Sequence, residues 1–191
     1  MLWPFNHFTK PHAPPSGTIE AIYGTIVTQA REPSFYLDLG VPDTVSGRFD
    51  LLVLHLWMVL RRFRSAEDLA KVSQALFDHF CDDMDANLRE MGVGDLAVPK
   101  RMQAFGEAFY GRAAAYDRVL EQGGEPLAQA LSRNVLNGEG MENARRLAIY
   151  VKAAVASLAL HDKASLLAAA WSFPLPVQPG IKANPGKVLE R

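Results

Sequence analysis

The sequence predicts an all-α protein, a single globular domain of about six helices packed round a buried central helix at 48–63. Three observations predict it. Leu51 to Leu60 is a run of ten residues in which only His55 is polar. A helix apolar on every side belongs inside a protein or inside a membrane. Ten residues rise about 15 Å, roughly half of a hydrocarbon core, and Arg61, Arg62 and Arg64 follow at once. On both sides of this run apolar residues recur at three- and four-residue spacing, the signature of amphipathic helices, and no useful stretch alternates with the two-residue period of a strand.

Taken in order, residues 1–15 carry Pro4, Pro11, Pro14 and Pro15, poor material for regular structure, and are expected to be a flexible segment. Its Leu2, Trp3, Phe5 and Phe8 could dock on a partner or a bilayer surface, or cover the protein's own core. Thr18 is placed to cap a first helix, in which Ile19, Ile22, Tyr23, Ile26 and Val27 share one face. Pro33 should end it, since the residue before a proline avoids the α region. FYLDLGVPDT is expected to be a loop, and Asp43, Thr44 or Ser46 is available to cap the central helix.

Ser65 with Asp68 three residues on resembles a capping box. It should open a long helix with Leu69, Val72, Leu76, Phe80, Met84 and Met91 inward, closed by a glycine cap at Gly92. Asp78, Asp82, Asp85 and Arg89 form its solvated face. Asp83 instead projects between Val72 and Leu76. An inward carboxylate is costly unless paired, so a partner is expected, with His79 the local candidate and Arg112 the distant one. Pro99 sits where a first helical residue belongs, and Met102, Phe105, Phe109, Ala113, Tyr116 and Leu120 make the next stripe. Gly106 and Gly111 inside it suggest close approach of a neighbouring helix. Further helices are expected at 126–136, 142–160 and 163–173, the last stopped by Pro174. The helical domain is thus expected at 16–173, followed by a Pro/Gly-rich tail at 174–191.

The bulk numbers narrow the function. Lys and Arg number 20 and Asp and Glu 21 in 191 residues, a balance that argues against nucleic-acid binding through a broad basic surface. One cysteine, Cys81, excludes an internal disulfide and any cysteine-cluster metal site. The N-terminus shows no secretory signal pattern, and no run reaches the length of a membrane span. The expectation is a cytoplasmic protein.

Catalytic readings find little. DDMD at 82–85 invites comparison with aspartate-rich Mg²⁺ motifs, but the spacing differs and no second acidic cluster follows. His55, His79, Asp78 and Asp83 could compose a mixed metal site, yet no paired-ligand motif supports it. His55 on an apolar helix fits better as a hydrogen-bonded core histidine. No nucleophile elbow is present, and Cys81 among aspartates should have little thiolate character. A metal-dependent enzyme using the Asp82/Asp83 region stands as the alternative to a binding protein. Met58, Met84, Met91, Met102 and Met141 offer adaptable apolar packing.

In order, the blocks YGTIVTQAR, FYLDLGVPDT, GRFDLLVLHLWMVLRR, DDMDANLREMGVGDLAVPKRM and AFYGRAAAYD resemble the ubiquinol–cytochrome c chaperone family, assembly factors of respiratory complex III, over about residues 20–137. The resemblance implies an all-α, non-enzymatic protein without cofactor or metal. It would bind newly made cytochrome b, keep it competent for haem insertion, and sit peripherally at the cytoplasmic face of the inner membrane. Mitochondrial relatives work with a small partner chaperone and the ribosome, and carry a longer N-terminal part with a targeting signal. Without that part, this chain is expected to be a bacterial-type member. The family brings no catalytic motif. Among positions that match it, and their neighbours, the candidate client contacts are Val41, Pro42, Asp43 and Phe49, then Arg89, Val93 and Asp95, then Tyr110, Arg112 and Tyr116. His55, His79 and Asp83 are assigned to a structural polar core.

Overall fold

A computed structural model describes residues 17–176. These form α1 (Thr18–Ala30), α2 (Pro33–Leu37), α3 (Val45–Arg64), α4 (Ala70–Glu90), α5 (Val98–Leu120), α6 (Gly124–Val135), α7 (Met141–Leu160) and α8 (Lys163–Leu167). No strand occurs among the described residues. The readings of residues 1–15, and of the tail from 177 on, fall outside them.

The apolar run makes α3 the axis, as its composition predicts. From Val53 to Leu60 every side chain is buried, His55 included, and α1, α4, α5, α6 and α7 all pack against this helix. Thr44 caps it, its hydroxyl accepting from the Gly47 backbone N–H at 3.1 Å. Gly47 is required for a different reason. A Cβ there would drive into the Pro42 carbonyl oxygen, so only glycine lets the incoming loop lie against the first turn.

Burial of α4 follows the expected stripe through Leu69, Val72, Leu76, Phe80 and Met84, with Leu88 added. Met91 departs from it and is 60% exposed. Gly92, at φ +80°, closes α4 as expected: its N–H reaches the Arg89 carbonyl, and the Val93 N–H reaches back to Leu88.

Local signals misled at several boundaries. Thr18 is the first helical residue rather than a cap, and no side chain caps α1. Ser65 ends α3 instead of opening α4, its hydroxyl donating to the Arg62 carbonyl at 2.7 Å. A 3₁₀ turn at Glu67–Leu69 intervenes, so α4 starts later without a side-chain cap. α2, too short to show periodicity, takes up Phe35, Tyr36 and Leu37, the first three residues of the expected loop FYLDLGVPDT. Gly106 and Gly111 have open space where a Cβ would stand, so no helix approaches them closely. The final helix stops at Leu167, well before Pro174. Ala169 turns the chain at φ 50°, and Trp171 and Phe173 are buried as extended residues, not as a helical face.

Candidate functional site

Near the middle of α3 a polar chain runs through the core. His55 Nδ1 lies 2.7 Å from the Leu51 carbonyl, which can only accept, so Nδ1 carries the proton. Its Nε2, 2.7 Å from the Tyr150 hydroxyl, then accepts from Tyr150, whose oxygen in turn accepts from Gln29 Nε2. Every donor has an acceptor with His55 neutral. Burial lowers its pKa to about 4, against a smaller opposing pull from the Leu51 carbonyl. Phe35 and Phe173 meet the imidazole edge-on. His55 is thus the satisfied core histidine its setting predicts.

Asp83 also finds a partner, though neither expected one. The Tyr23 hydroxyl donates to it at 2.7 Å, and His79 contributes its ring edge-on to Tyr23. Arg112 belongs elsewhere. Its guanidinium bonds Asp50 at 2.7 Å, across α5 and α3, and lies 6.0 Å from the Phe49 ring centroid. Burial raises the Asp50 carboxyl to about 6 even though Arg112 pulls the other way. Sequence reasoning missed Asp50, whose only signal is a carboxylate next to the apolar run.

At the N-terminal end of α3 the enclosure fails. A groove of about 630 Å³ opens between α1, α2, α3, α4 and α5. Phe49 and Phe105, stacked with centroids 4.8 Å apart, line it with Leu52, Met84 and Leu88. Val45, 75% exposed, and Met91 are also part of its lining. Exposed apolar side chains bordering a cavity mark a binding surface more readily than single ones scattered over a protein. The charged lining consists of Arg31, Arg48, Arg101 and Asp83.

The predicted contact residues divide around this groove. Phe49 lines it directly. Asp43 pairs with Arg48 of the lining at 2.7 Å. Arg89 holds Asp85 and Asp95 at the end of α4, and Val93 and Pro42 are half-buried beside these positions. Tyr110 is exposed on α5, packed on Phe77. Val41 and Tyr116 are buried, with their side chains packed in the core. Arg112 is partly buried beside Phe49.

A second cavity, about 420 Å³, lies at the other end of α3 among Arg61, Arg62, Arg64 and Asp117. Its arginines are committed internally: Arg61 and Arg64 both bond Asp117, and Arg62 donates to the Leu158 and His161 carbonyls. Asp82 and Asp83 share no site, since Asp82 is exposed and Asp83 is bonded to Tyr23. Among the described residues no three His, Cys, Asp or Glu side chains are placed to hold a metal ion. Cys81 is pushed up to about 11 by burial and by Asp78 and Asp82.

The family model described as Ubiquinol-cytochrome C chaperone matches residues 37–173, well over half of the chain. This chain belongs to the ubiquinol–cytochrome c chaperone family. The matched span takes in α3 to α8 and hence most of the groove, while α1 with Arg31 precedes it. The crystal structure of the Cbp3 homolog from Brucella abortus superposes with a TM-score of 0.76 at 35% identity, covering 84% of this chain and 90% of that one. Ubiquinol-cytochrome c reductase complex assembly factor 1 of mouse is 29% identical over 132 residues, which is 69% of this chain and 44% of the mouse protein. Its Xenopus laevis counterpart is 27% identical over 69% of this chain and 66% of its own length. The chain therefore spans less than half of the mouse relative. Among the described residues no helix is long and apolar enough to cross a membrane.

Proposed function

We propose that this chain is a non-enzymatic assembly chaperone for ubiquinol–cytochrome c reductase that binds newly made cytochrome b. The groove at the start of α3 holds an apolar segment of the client. The observation that carries this is the groove itself: apolar side chains from four helices and an aromatic stack, left uncovered in a chain whose family is one of chaperones. Methionines at its edge re-pack around different apolar shapes at low cost, which suits a client whose own fold is incomplete. Such a client meets the chaperone at the cytoplasmic face of the inner membrane, where the chain works as a peripheral protein. A small partner subunit and the ribosome are further proposed partners.

The test is affinity purification of the tagged protein from gently solubilised membranes of its own organism, followed by mass spectrometry. Enrichment of cytochrome b over equally abundant membrane proteins is the expected result. Its absence, with ubiquinol–cytochrome c reductase assembling normally in a deletion strain, would overturn the proposal. The metal-dependent enzyme finds no support in the geometry around Asp82 and Asp83.

A further inference from the structure

The groove pairs an apolar floor with an unbalanced rim. Three arginines line it against one carboxylate, Asp83. Arg48 is matched by Asp43 just outside. Among the described residues, neither Arg31 nor Arg101 forms an ion pair, and both are exposed. Among the described residues Arg61, Arg64, Arg89, Arg112 and Arg145 form ion pairs while Arg62, Arg118, Arg133 and Arg146 form none, so what sets Arg31 and Arg101 apart is their place in the lining of an apolar groove. Two solvent-facing cations beside uncovered apolar side chains form a surface complementary to an apolar segment that carries acidic residues.

We infer that the groove selects apolar client segments flanked by carboxylates, with Arg31 and Arg101 as the residues that read the charge. This rests on the groove being the client site. The occupant is a polypeptide from another protein rather than this chain's own ends. Residues 1–16 contain Lys10, His7 and His12 and no acid, and residues 177–191 contain Lys182, Lys187 and Arg191 against Glu190. Both ends carry the same sign as the rim and would be repelled by it. Discrimination also has a use here. An apolar groove alone accepts any apolar segment, whereas two unpaired cations at its edge favour acidic flanks over neutral or basic ones.

The experiment measures fluorescence anisotropy of three labelled peptides of about 18 residues, a length at which a helix can form. They share one apolar face and differ only in flanks of Glu, Gln or Lys. The acidic peptide should bind roughly fivefold tighter than the neutral one, as expected for two exposed charge pairs, and the margin should shrink at high salt. Arg31→Glu with Arg101→Glu, with thermal melting used to check that the variant is folded, should reverse the order so that the basic peptide binds best. Equal binding of all three to the wild type would overturn the inference while leaving the groove as a client site. Binding of none would overturn it too, and the cytochrome b purification then decides separately whether the client reading survives. Anionic vesicles captured through Arg31 and Arg101, without a preference among peptides, would assign the rim to lipid headgroups instead. Concentration-dependent self-association abolished by the double variant would assign it to the acidic α4 face of a second copy.

Discussion

The two ends of α3 are built from the same kinds of residue and treated in opposite ways. At the C-terminal end Arg61, Arg62 and Arg64 tie α3 to Asp117 of α5 and to the closing carbonyls of α7, and Trp57, fully buried, donates to the same Asp117 at 3.0 Å. At the N-terminal end the partly buried pair Asp50–Arg112 stands behind Phe49 and the exposed pair Asp43–Arg48 lies at the rim, and beyond them the apolar side chains meet solvent. Under the proposed function, stability and recognition are separated along a single helix. The C-terminal end is sealed in the sense that the arginines around its cavity of about 420 Å³ are bonded within the protein, whereas the open end leaves apolar side chains uncovered.

Substitutions at the sealed end should be the most damaging. Trp57→Ala should lower unfolding free energy by about 3–5 kcal/mol, measured by denaturant titration. Removing the joint between the two ends comes next. Arg112→Ala leaves the Asp50 carboxylate buried without its cation and should cost about 3 kcal/mol, whereas Arg112→Met combined with Asp50→Leu should recover most of that loss.

Acid sharpens the same contrast, because two buried groups on α3 titrate with opposite effect. His55 is held near 4, below its unfolded value, so its contribution is full above about pH 6.5 and is lost as pH falls towards 4. Asp50 is raised to about 6, so its contribution is full below about pH 4 and is lost as pH rises through 6. Over that window each term amounts to about 2–3 kcal/mol and they largely cancel. Relative to wild type, the deficit of Asp50→Asn should therefore grow between pH 7 and pH 4.5, and that of His55→Gln should shrink. Thermal melts across that range would show it, and parallel curves for both variants would contradict the assignment.

Tyr23→Phe, which leaves half-buried Asp83 without its donor, should cost about 1 kcal/mol. The smallest stability effects belong to the groove. Val45→Ser and Met91→Ser should stay within about 0.5 kcal/mol of wild type while reducing recovery of cytochrome b from membranes. A melting temperature that falls as far as in Tyr23→Phe would mean these side chains belong to the core after all.

The sealed end was largely legible in the sequence. An all-round apolar run announces a buried helix, and a single histidine inside it announces an internal hydrogen bond. The stripes of α1, α4, α5 and α7 were equally plain, since each needs only local periodicity. What escaped depends on distance along the chain. Asp50 and Arg112 stand 62 residues apart, as Tyr23 and Asp83 stand 60 apart, and no local pattern joins them. The groove escaped for the same reason, being a gap left by five helices. Phe49 was singled out by family likeness and does line it, whereas Tyr116, chosen on the same ground, is core. Ser65 and Thr18 misled because a capping residue type is also at home one step inside a helix or at its other end.

The separation of the two ends is tested most directly by photo-crosslinking in cells making cytochrome b, with the photoreactive residue placed at Met91 in the groove or at Ile149, which is 62% exposed on α7. A cytochrome b adduct from position 91 and none from position 149 is the predicted result. Adducts of equal yield from both positions, or from 149 alone, would contradict the assignment of the open end of α3 as the surface that holds the client.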